Sequence, residues 1–224
     1  MKTTMLFLLI FLLSSVIAFG QKVPLPQNYT IVDTVFGDLD KDGIKELVAA
    51  YNTRKIDVDS YDSVTRELII YKRENGNWII WKKSSQALYG SRDGGMMGDP
   101  FEELVIDKGI LEISQNGGSS WKWGHTDKYR YQNDEFRLIG YTSNAGKPCE
   151  DWETVDFNLL TGKMIVEKAY EQCDEQDDNP NIYRQENETM YVKGLKITLQ
   201  NRSTKEVRIV TPKYKHEIYV ATKR

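Results

Sequence analysis

Three aspartates stand at alternate positions of the chain, Asp38, Asp40 and Asp42, directly before Gly43, and Glu46 follows three residues after the glycine. In a tight loop, alternate positions direct their carboxylates toward a common centre, where like charges are unfavourable unless a cation neutralises them. Ca²⁺ takes about six to eight hard oxygen ligands in such a loop. The spacing therefore predicts a calcium-binding loop. The alternative is a solvated acidic turn, since Asp and Gly are common turn residues.

The loop agrees with the first half of an EF-hand but not with its second half. Gly43 supplies the sharp turn, and the next residue, Ile44, offers its backbone carbonyl. The twelfth position, where an EF-hand places a bidentate glutamate, is Ala49, and Glu46 is the remaining acid in register. The run that follows, LVAAYN, is typical of a strand rather than of a long amphipathic helix, so the second half of the loop departs from the EF-hand pattern.

The stretch FGDLDKDGIKELVAA resembles the FG-GAP/VCBS type of calcium-binding repeat, found in extracellular β-propellers and related secreted proteins. In that family a Phe-Gly pair precedes a D-x-D-x-D-G-x-x-D/E-L loop, and here Phe36 and Gly37 supply the pair while Leu47 re-enters a strand. The resemblance covers one copy, residues 36–52, and the rest of the chain is similar to uncharacterised secreted bacterial proteins that carry one such loop. It implies Ca²⁺ held by four side chains and one backbone carbonyl: Asp38, Asp40, Asp42, Glu46 and the carbonyl of Ile44.

A second candidate site is aromatic. Trp121 and Trp123, then Tyr129 and Tyr131, are two residues apart, so each pair shares one face of a strand. If that face is exposed, it is a platform for sugar rings or for a partner protein. The alternative is that the aromatic face packs in the core.

Catalytic signatures are absent from the sequence. The chain has two histidines, His125 and His216, and it contains no G-x-S-x-G elbow, H-E-x-x-H pair or Walker loop. The sequence favours a non-catalytic extracellular module that binds a protein or a glycan. The alternative is a carboxylate-dependent hydrolase of envelope or matrix polymers, which would need a cleft where polar groups converge beside perturbed carboxylates.

These residues are predicted to lie on strands. Apolar runs alternate with polar residues around turn signals such as Asn75-Gly76, and turn signals recur every eight to twelve residues. We therefore predict an all-β fold of antiparallel hairpins, arranged as a sheet, a sandwich or a partial propeller, with little helix outside the N-terminal segment. The predicted hairpins lie at 67–83, 103–118, 121–143, 153–170 and 194–210. Residues 21–224 are predicted to form one domain, with an add-on hairpin from about residue 188.

The N-terminus predicts secretion. Lys2 is followed by an apolar run, and Ala18-Phe19-Gly20 places small residues before a cleavage site at Gly20–Gln21. Residues 1–20 thus read as a signal peptide, and the mature protein is expected in the periplasm or outside the cell. The alternative, an uncleaved anchor helix, needs about 20 apolar residues to span a bilayer, and this run is shorter. No later segment is apolar enough to cross a membrane.

The cysteines predict a disulfide, and the net charge argues against a nucleic-acid-binding protein. Cys149 and Cys173 are the two cysteines of the chain, and in a secreted protein this predicts a disulfide, with two unpaired thiols as the alternative. Removing Lys2 leaves 29 basic residues against 33 acidic ones, a net charge of −4. Such a balance gives no basic footprint for nucleic acid.

Overall fold

The computed structural model describes residues 22–57, 62–174 and 177–222, which form three antiparallel sheets. The signal peptide and cleavage site predicted at 1–21 lie outside the described residues. Within the described ranges, helical structure is confined to one 3₁₀ turn, Gly95–Met97. The prediction of an all-β antiparallel fold is confirmed.

The four-stranded sheet is a meander in which each strand pairs with its neighbours in the chain. The acidic loop is the connection between its first two strands. Its members are β1 (Thr30–Gly37), β2 (Glu46–Asp57), β3 (Ser63–Glu74) and β4 (Asn77–Ser84).

The seven-stranded sheet is a second meander, and its strands follow one another in chain order. They are β5 (Phe101–Asp107), β6 (Ile110–Gly118), β7 (Lys122–Gln132), β8 (Glu135–Lys147), β9 (Asp151–Asn158), β10 (Lys163–Asp174) and β11 (Asp177–Tyr191).

Turn chemistry explains the hairpins, and those predicted at 67–83, 103–118, 121–143 and 153–170 are present. Asn75 and Gly76, which connect β3 to β4, have φ angles of 49° and 81°. Two consecutive residues with positive φ give the type I′ twist that suits a two-residue hairpin, and the Asn-Gly pair adopts it at little cost.

The fifth hairpin differs from the prediction. Residues 195–199 do not pair with 207–210. Instead, the Ile197 carbonyl accepts a hydrogen bond from Leu138, and the Leu199 amide donates one to Phe136, which fixes this apolar segment against β8. The observed C-terminal hairpin pairs β12 (Val207–Val210) with β13 (Glu217–Ala221), and residues 188–191 belong to β11.

One hydrophobic core joins the three sheets. Alternate residues of the four-stranded sheet, such as Val48 and Ile70, face the inner side of the seven-stranded sheet, where Tyr129 and Phe157 are fully buried. The C-terminal hairpin contributes Ile218 to the same cluster. A smaller cluster covers the other face of the four-stranded sheet. The C-terminal hairpin therefore packs into the same hydrophobic core as the two larger sheets.

The disulfide between Cys149 and Cys173 is confirmed, with Cα atoms 5.0 Å apart. It ties the turn after β8 to the end of β10. Among the residues that the structure describes, no helix is long and apolar enough to cross a membrane.

Candidate functional site

The acidic loop folds around its own carboxylates. Asp38 accepts a hydrogen bond from the Gly43 amide at 3.0 Å, and Asp42 accepts one from the Ile44 amide at 2.7 Å. Lys41 and Gly43 have φ angles of 67° and 88°, so the backbone turns sharply at two points. This local pattern turns the alternate side chains of the loop toward one another.

Three of the predicted ligands come together. Asp38, Asp40 and Asp42 each offer a carboxylate oxygen, and these oxygens lie within 4.8 Å of one another. The Oδ1 atom of Asp38 is shielded from solvent and has no hydrogen-bond partner among the described residues. A buried carboxylate oxygen without a partner is costly, and a cation at this position would satisfy it.

Glu46 lies outside that group of three. Its side chain is buried, and Oε2 accepts a hydrogen bond from the Leu39 amide at 2.7 Å, which closes the base of the loop. Burial raises the pKa of Glu46, the Leu39 amide opposes the shift, and Asp40 adds to it. In this arrangement Glu46 braces the loop. The Ile44 side chain is exposed, and its amide is the group that contacts Asp42.

A lysine from β3 reaches the same loop. Lys72 forms an ion pair with Asp40, and its Nζ lies 4.0 Å from the centre of the Trp81 ring. Burial acts to lower the pKa of Lys72, but the hydrogen bond that Lys72 donates to Asp40 and the negative charges of the loop outweigh it and raise that pKa. Lys72 thus supplies one positive charge to a site with four acids.

The Phe-Gly pair has a structural reason. The Phe36 ring packs 6.0 Å from the Trp78 ring on the outer face of the four-stranded sheet. Gly37 turns the other way, toward β5, where an added Cβ would lie 2.4 Å from Cγ2 of Ile106. Only a glycine lets β1 approach β5 this closely, so the pair fixes the direction in which the acidic loop leaves the sheet.

The four predicted aromatic residues have different environments. Trp121 is half exposed and precedes β7. Trp123, Tyr129 and Tyr131 lie on the inner face of β7. Tyr129 is fully buried, so it cannot belong to a surface for a partner, and Tyr131 packs against Trp81 with ring centres 4.4 Å apart. Trp123 lines a cleft. The environments differ because one strand passes from the cleft into the core.

That cleft, which we call the β7–β13 cleft, has a volume of about 270 Å³. One wall is the inner face of β7, β8 and β9, which presents Trp123, His125 and Glu153. The opposite wall is formed by the connection after β4 and by the C-terminal region, which contribute Tyr89 and Arg202. Three distant parts of the chain therefore meet there.

Buried hydrogen bonds hold these walls in place. Gln115, on β6, accepts a hydrogen bond from the Tyr89 amide at 2.7 Å and donates one to the Ala87 carbonyl at 3.2 Å. The Ser203 hydroxyl donates to the Gln86 carbonyl at 3.0 Å. The connection after β4 is thus fastened both to the large sheet and to the C-terminal segment.

An ion pair lies at the floor of the β7–β13 cleft. Arg202 Nε and Nη2 donate to the two carboxylate oxygens of fully buried Asp127 at 2.5 and 3.0 Å, and the Tyr129 hydroxyl donates to the same carboxylate at 3.0 Å. Burial acts to raise the pKa of Asp127, but Arg202 and His125 outweigh it, so that pKa is lowered. Burial raises the pKa of Tyr141, beside the pair, to about 12.

Two further carboxylates line the cleft. Burial raises the pKa of Glu153, although Lys168 opposes the shift. Glu217 is exposed, and its hydrogen bonds from Arg208 and Tyr219 lower its pKa. The cleft therefore combines aromatic rings with one carboxyl group that burial makes easier to protonate and charged groups that already have partners.

Most residues of this cleft could not be recognised from the sequence. Tyr89, Glu153 and Arg202 are separated by about fifty residues or more, and no spacing rule connects them. The aromatic alternation identified Trp123, and His125 follows it on the same face. An isolated Arg within polar sequence is normally exposed, so the buried partner of Asp127 could not be read from the chain.

The sequence matches no protein-family model and no curated protein. A functional proposal must therefore rest on the geometry of the two candidate sites.

Proposed function

We propose that this chain is a secreted, non-catalytic module in which the loop 38–46 binds one Ca²⁺ ion and stabilises a domain that recognises an extracellular protein or glycan. The observation that supports the calcium site best is the convergence of the oxygens of Asp38, Asp40 and Asp42 within 4.8 Å. The unpartnered, shielded Oδ1 of Asp38 supports it independently.

The donor set suits a hard cation. All three groups are carboxylates, which prefer Ca²⁺ or Mg²⁺ over softer metals. Mg²⁺ requires a stricter octahedron and gives up water reluctantly, so Ca²⁺ fits a flexible surface loop better. Glu46 would hold the loop in shape through Leu39, and Lys72 would compete with the ion for Asp40.

Thermal unfolding with and without Ca²⁺ tests the proposal. Extracellular calcium modules often have a Kd of about 10⁻⁴ to 10⁻³ M, and a tenfold excess of the ion over Kd stabilises the folded state by about 1.4 kcal/mol. For a domain of this size that raises Tm by about 3–5 °C. Chelator should reverse the shift, and Asp40→Ala should abolish it.

The matched control is Asp156→Asn, which removes an exposed carboxylate from β9 and should retain the full calcium shift. If neither millimolar Ca²⁺ nor chelator changes the Tm of the wild type, the result supports the solvated acidic turn instead. A shift that persists in Asp40→Ala would place the ion elsewhere.

A second candidate function is a carboxylate-dependent hydrolase, and Glu153 favours it. Its raised pKa suits a general acid, and Glu217 is a second carboxylate on the same cleft. Hydrolysis of a panel of 4-nitrophenyl glycosides by the wild type, lost in Glu153→Gln, would support this reading. No release of 4-nitrophenol above buffer would favour the non-catalytic module.

A further inference from the structure

The β7–β13 cleft is positioned as a binding site. It lies where the large sheet, the connection after β4 and the C-terminal hairpin meet, and ligand sites occur preferentially at such junctions. Its volume of about 270 Å³ is just below the roughly 300–1,000 Å³ typical of sites for drug-sized ligands, so it fits a small ligand.

Aromatic rings form one side of the cleft. The Trp123 and His125 rings are stacked, with centres 5.9 Å apart and planes 19° from parallel. The Tyr89 ring lies 5.2 Å from Trp123. Such a surface packs well against the apolar face of a ring-shaped ligand, while the polar edges of the rings still contact water.

Polar groups that donate and accept hydrogen bonds also line the β7–β13 cleft. Glu153 and Ser143 lie on neighbouring strands, and Ser143 pairs with His125 across the sheet. The hydroxyl of Ser143 both donates and accepts hydrogen bonds. A ligand with many hydroxyl groups needs this mixture, because each of its hydroxyls also donates and accepts.

The charges argue against an ionic ligand. Arg202 is paired with Asp127, and Glu217 with Arg208, so neither offers an uncompensated charge. Burial raises the pKa of Glu153, which disfavours its anionic form and weakens any attraction for a cation. A phosphate or an ammonium group would therefore gain little from this cleft.

We infer that the β7–β13 cleft binds one ring of a neutral saccharide, stacked on Trp123 and hydrogen-bonded by Glu153 and Ser143. The inference rests on the proposed binding role and identifies the partner as a glycan. It does not depend on the calcium loop, which lies between β1 and β2.

The test is a titration of the isotope-labelled, disulfide-bonded protein with glucose, galactose, mannose and N-acetylglucosamine, followed by NMR. At least one sugar should shift the signals of Trp123 and its strand neighbours saturably. Ala145→Trp, which fills the exposed position between Trp123 and Glu153, should abolish the shifts. Trp123→Ala should weaken binding about tenfold through lost stacking.

The matched control is Trp121→Ala, because this half-exposed tryptophan lies two residues away and does not line the cleft. It should bind the sugar within about twofold of wild type. An amide spectrum that resembles the wild-type spectrum shows that a variant retains the fold. Should Ala145→Trp disturb the fold, Trp123→Ala alone decides the matter.

The inference is wrong if none of the four sugars shifts the signals, or if the cleft variants bind sugar as well as the wild type does. It is also wrong if Trp121→Ala loses as much sugar affinity as Trp123→Ala, or if inorganic phosphate or choline, rather than a sugar, binds saturably in the cleft. The same titrations in Ca²⁺ and in chelator separate the two proposals. A calcium shift in Tm without sugar binding contradicts only the saccharide site, whereas sugar binding without a calcium shift contradicts only the calcium loop.

Discussion

Replacement of Arg202 by Met should reveal the energy stored in the buried ion pair with Asp127. Met retains the apolar length of the side chain but removes the two hydrogen bonds to the carboxylate. Asp127, which is fully buried, must then remain charged without its partner or take up a proton.

Protonation sets the upper limit of the cost. An acid with a reference pKa of about 3.9 costs about 1.36 kcal/mol per pH unit to protonate, which is about 4 kcal/mol at pH 7 and about 1.5 kcal/mol at pH 5. The estimate at pH 7 agrees with the roughly 3–5 kcal/mol lost when one member of a buried pair is removed. The variant should therefore recover much of its stability as the pH falls from 7 to 5.

The wild type should behave differently. Arg202 keeps the pKa of Asp127 below its reference value, so the stabilisation by this pair is fully present above about pH 4 and is lost only as the pH falls through the lowered pKa of the folded state. Between pH 7 and 5 its contribution is constant. The pH dependence thus separates the ion pair from ordinary packing, which does not titrate.

Urea unfolding of both proteins at pH 7 and pH 5 measures this difference. Arg208→Met is the matched control, because water screens the ion pair with solvent-exposed Glu217, and it should lower the free energy of unfolding much less than Arg202→Met does. A loss below about 1 kcal/mol in Arg202→Met at pH 7 would refute the reasoning. So would a large loss that is equal at the two pH values.

Two further predictions concern the scaffold. The double variant Cys149→Ser/Cys173→Ser should lower the free energy of unfolding by about 2–4 kcal/mol. In urea unfolding, the reduced wild type should be as unstable as this variant, and equal stability of the reduced and oxidised wild type would contradict the prediction. Gly37→Ala should lose about 1–3 kcal/mol because its Cβ would meet Ile106 at 2.4 Å. Gly124→Ala, whose Cβ would meet its nearest neighbour at 3.5 Å, is the control in the same unfolding assay, and similar losses in both would contradict the steric argument.

The regions of the fold that the sequence predicted are those governed by local chemistry. Asn75-Gly76 indicates its hairpin because two positive φ angles are needed there, and Cys149 and Cys173 had no competing partners. The segment 194–210 was wrongly assigned because period-two alternation describes any chain with one buried face. Leu199 satisfies that pattern by packing beside Phe136 and not by pairing with residues 207–210.

The candidate sites also differ in how far local sequence predicts them. Asp38, Asp40 and Asp42 are close in sequence, so their convergence could be predicted from spacing alone. Glu46 also follows the spacing, but its contact with Leu39 depends on how the loop closes onto β2. The walls of the β7–β13 cleft meet only after the sheets pack, and no property of the isolated segments anticipates that packing.

The strand order has a consequence for how the chain reaches this structure. In both meanders every strand pairs with its immediate neighbour in the chain, so each pairing step closes a loop of only a few residues. Closure entropy rises with loop length, and short closures therefore oppose pairing least. The large sheet can therefore grow one hairpin at a time during folding. Packing of residues 195–199 against β8 and of Arg202 onto Asp127 joins positions about 60 or more residues apart, which costs more closure entropy than a hairpin does. We therefore expect the β7–β13 cleft to form after the hairpins of the two meanders.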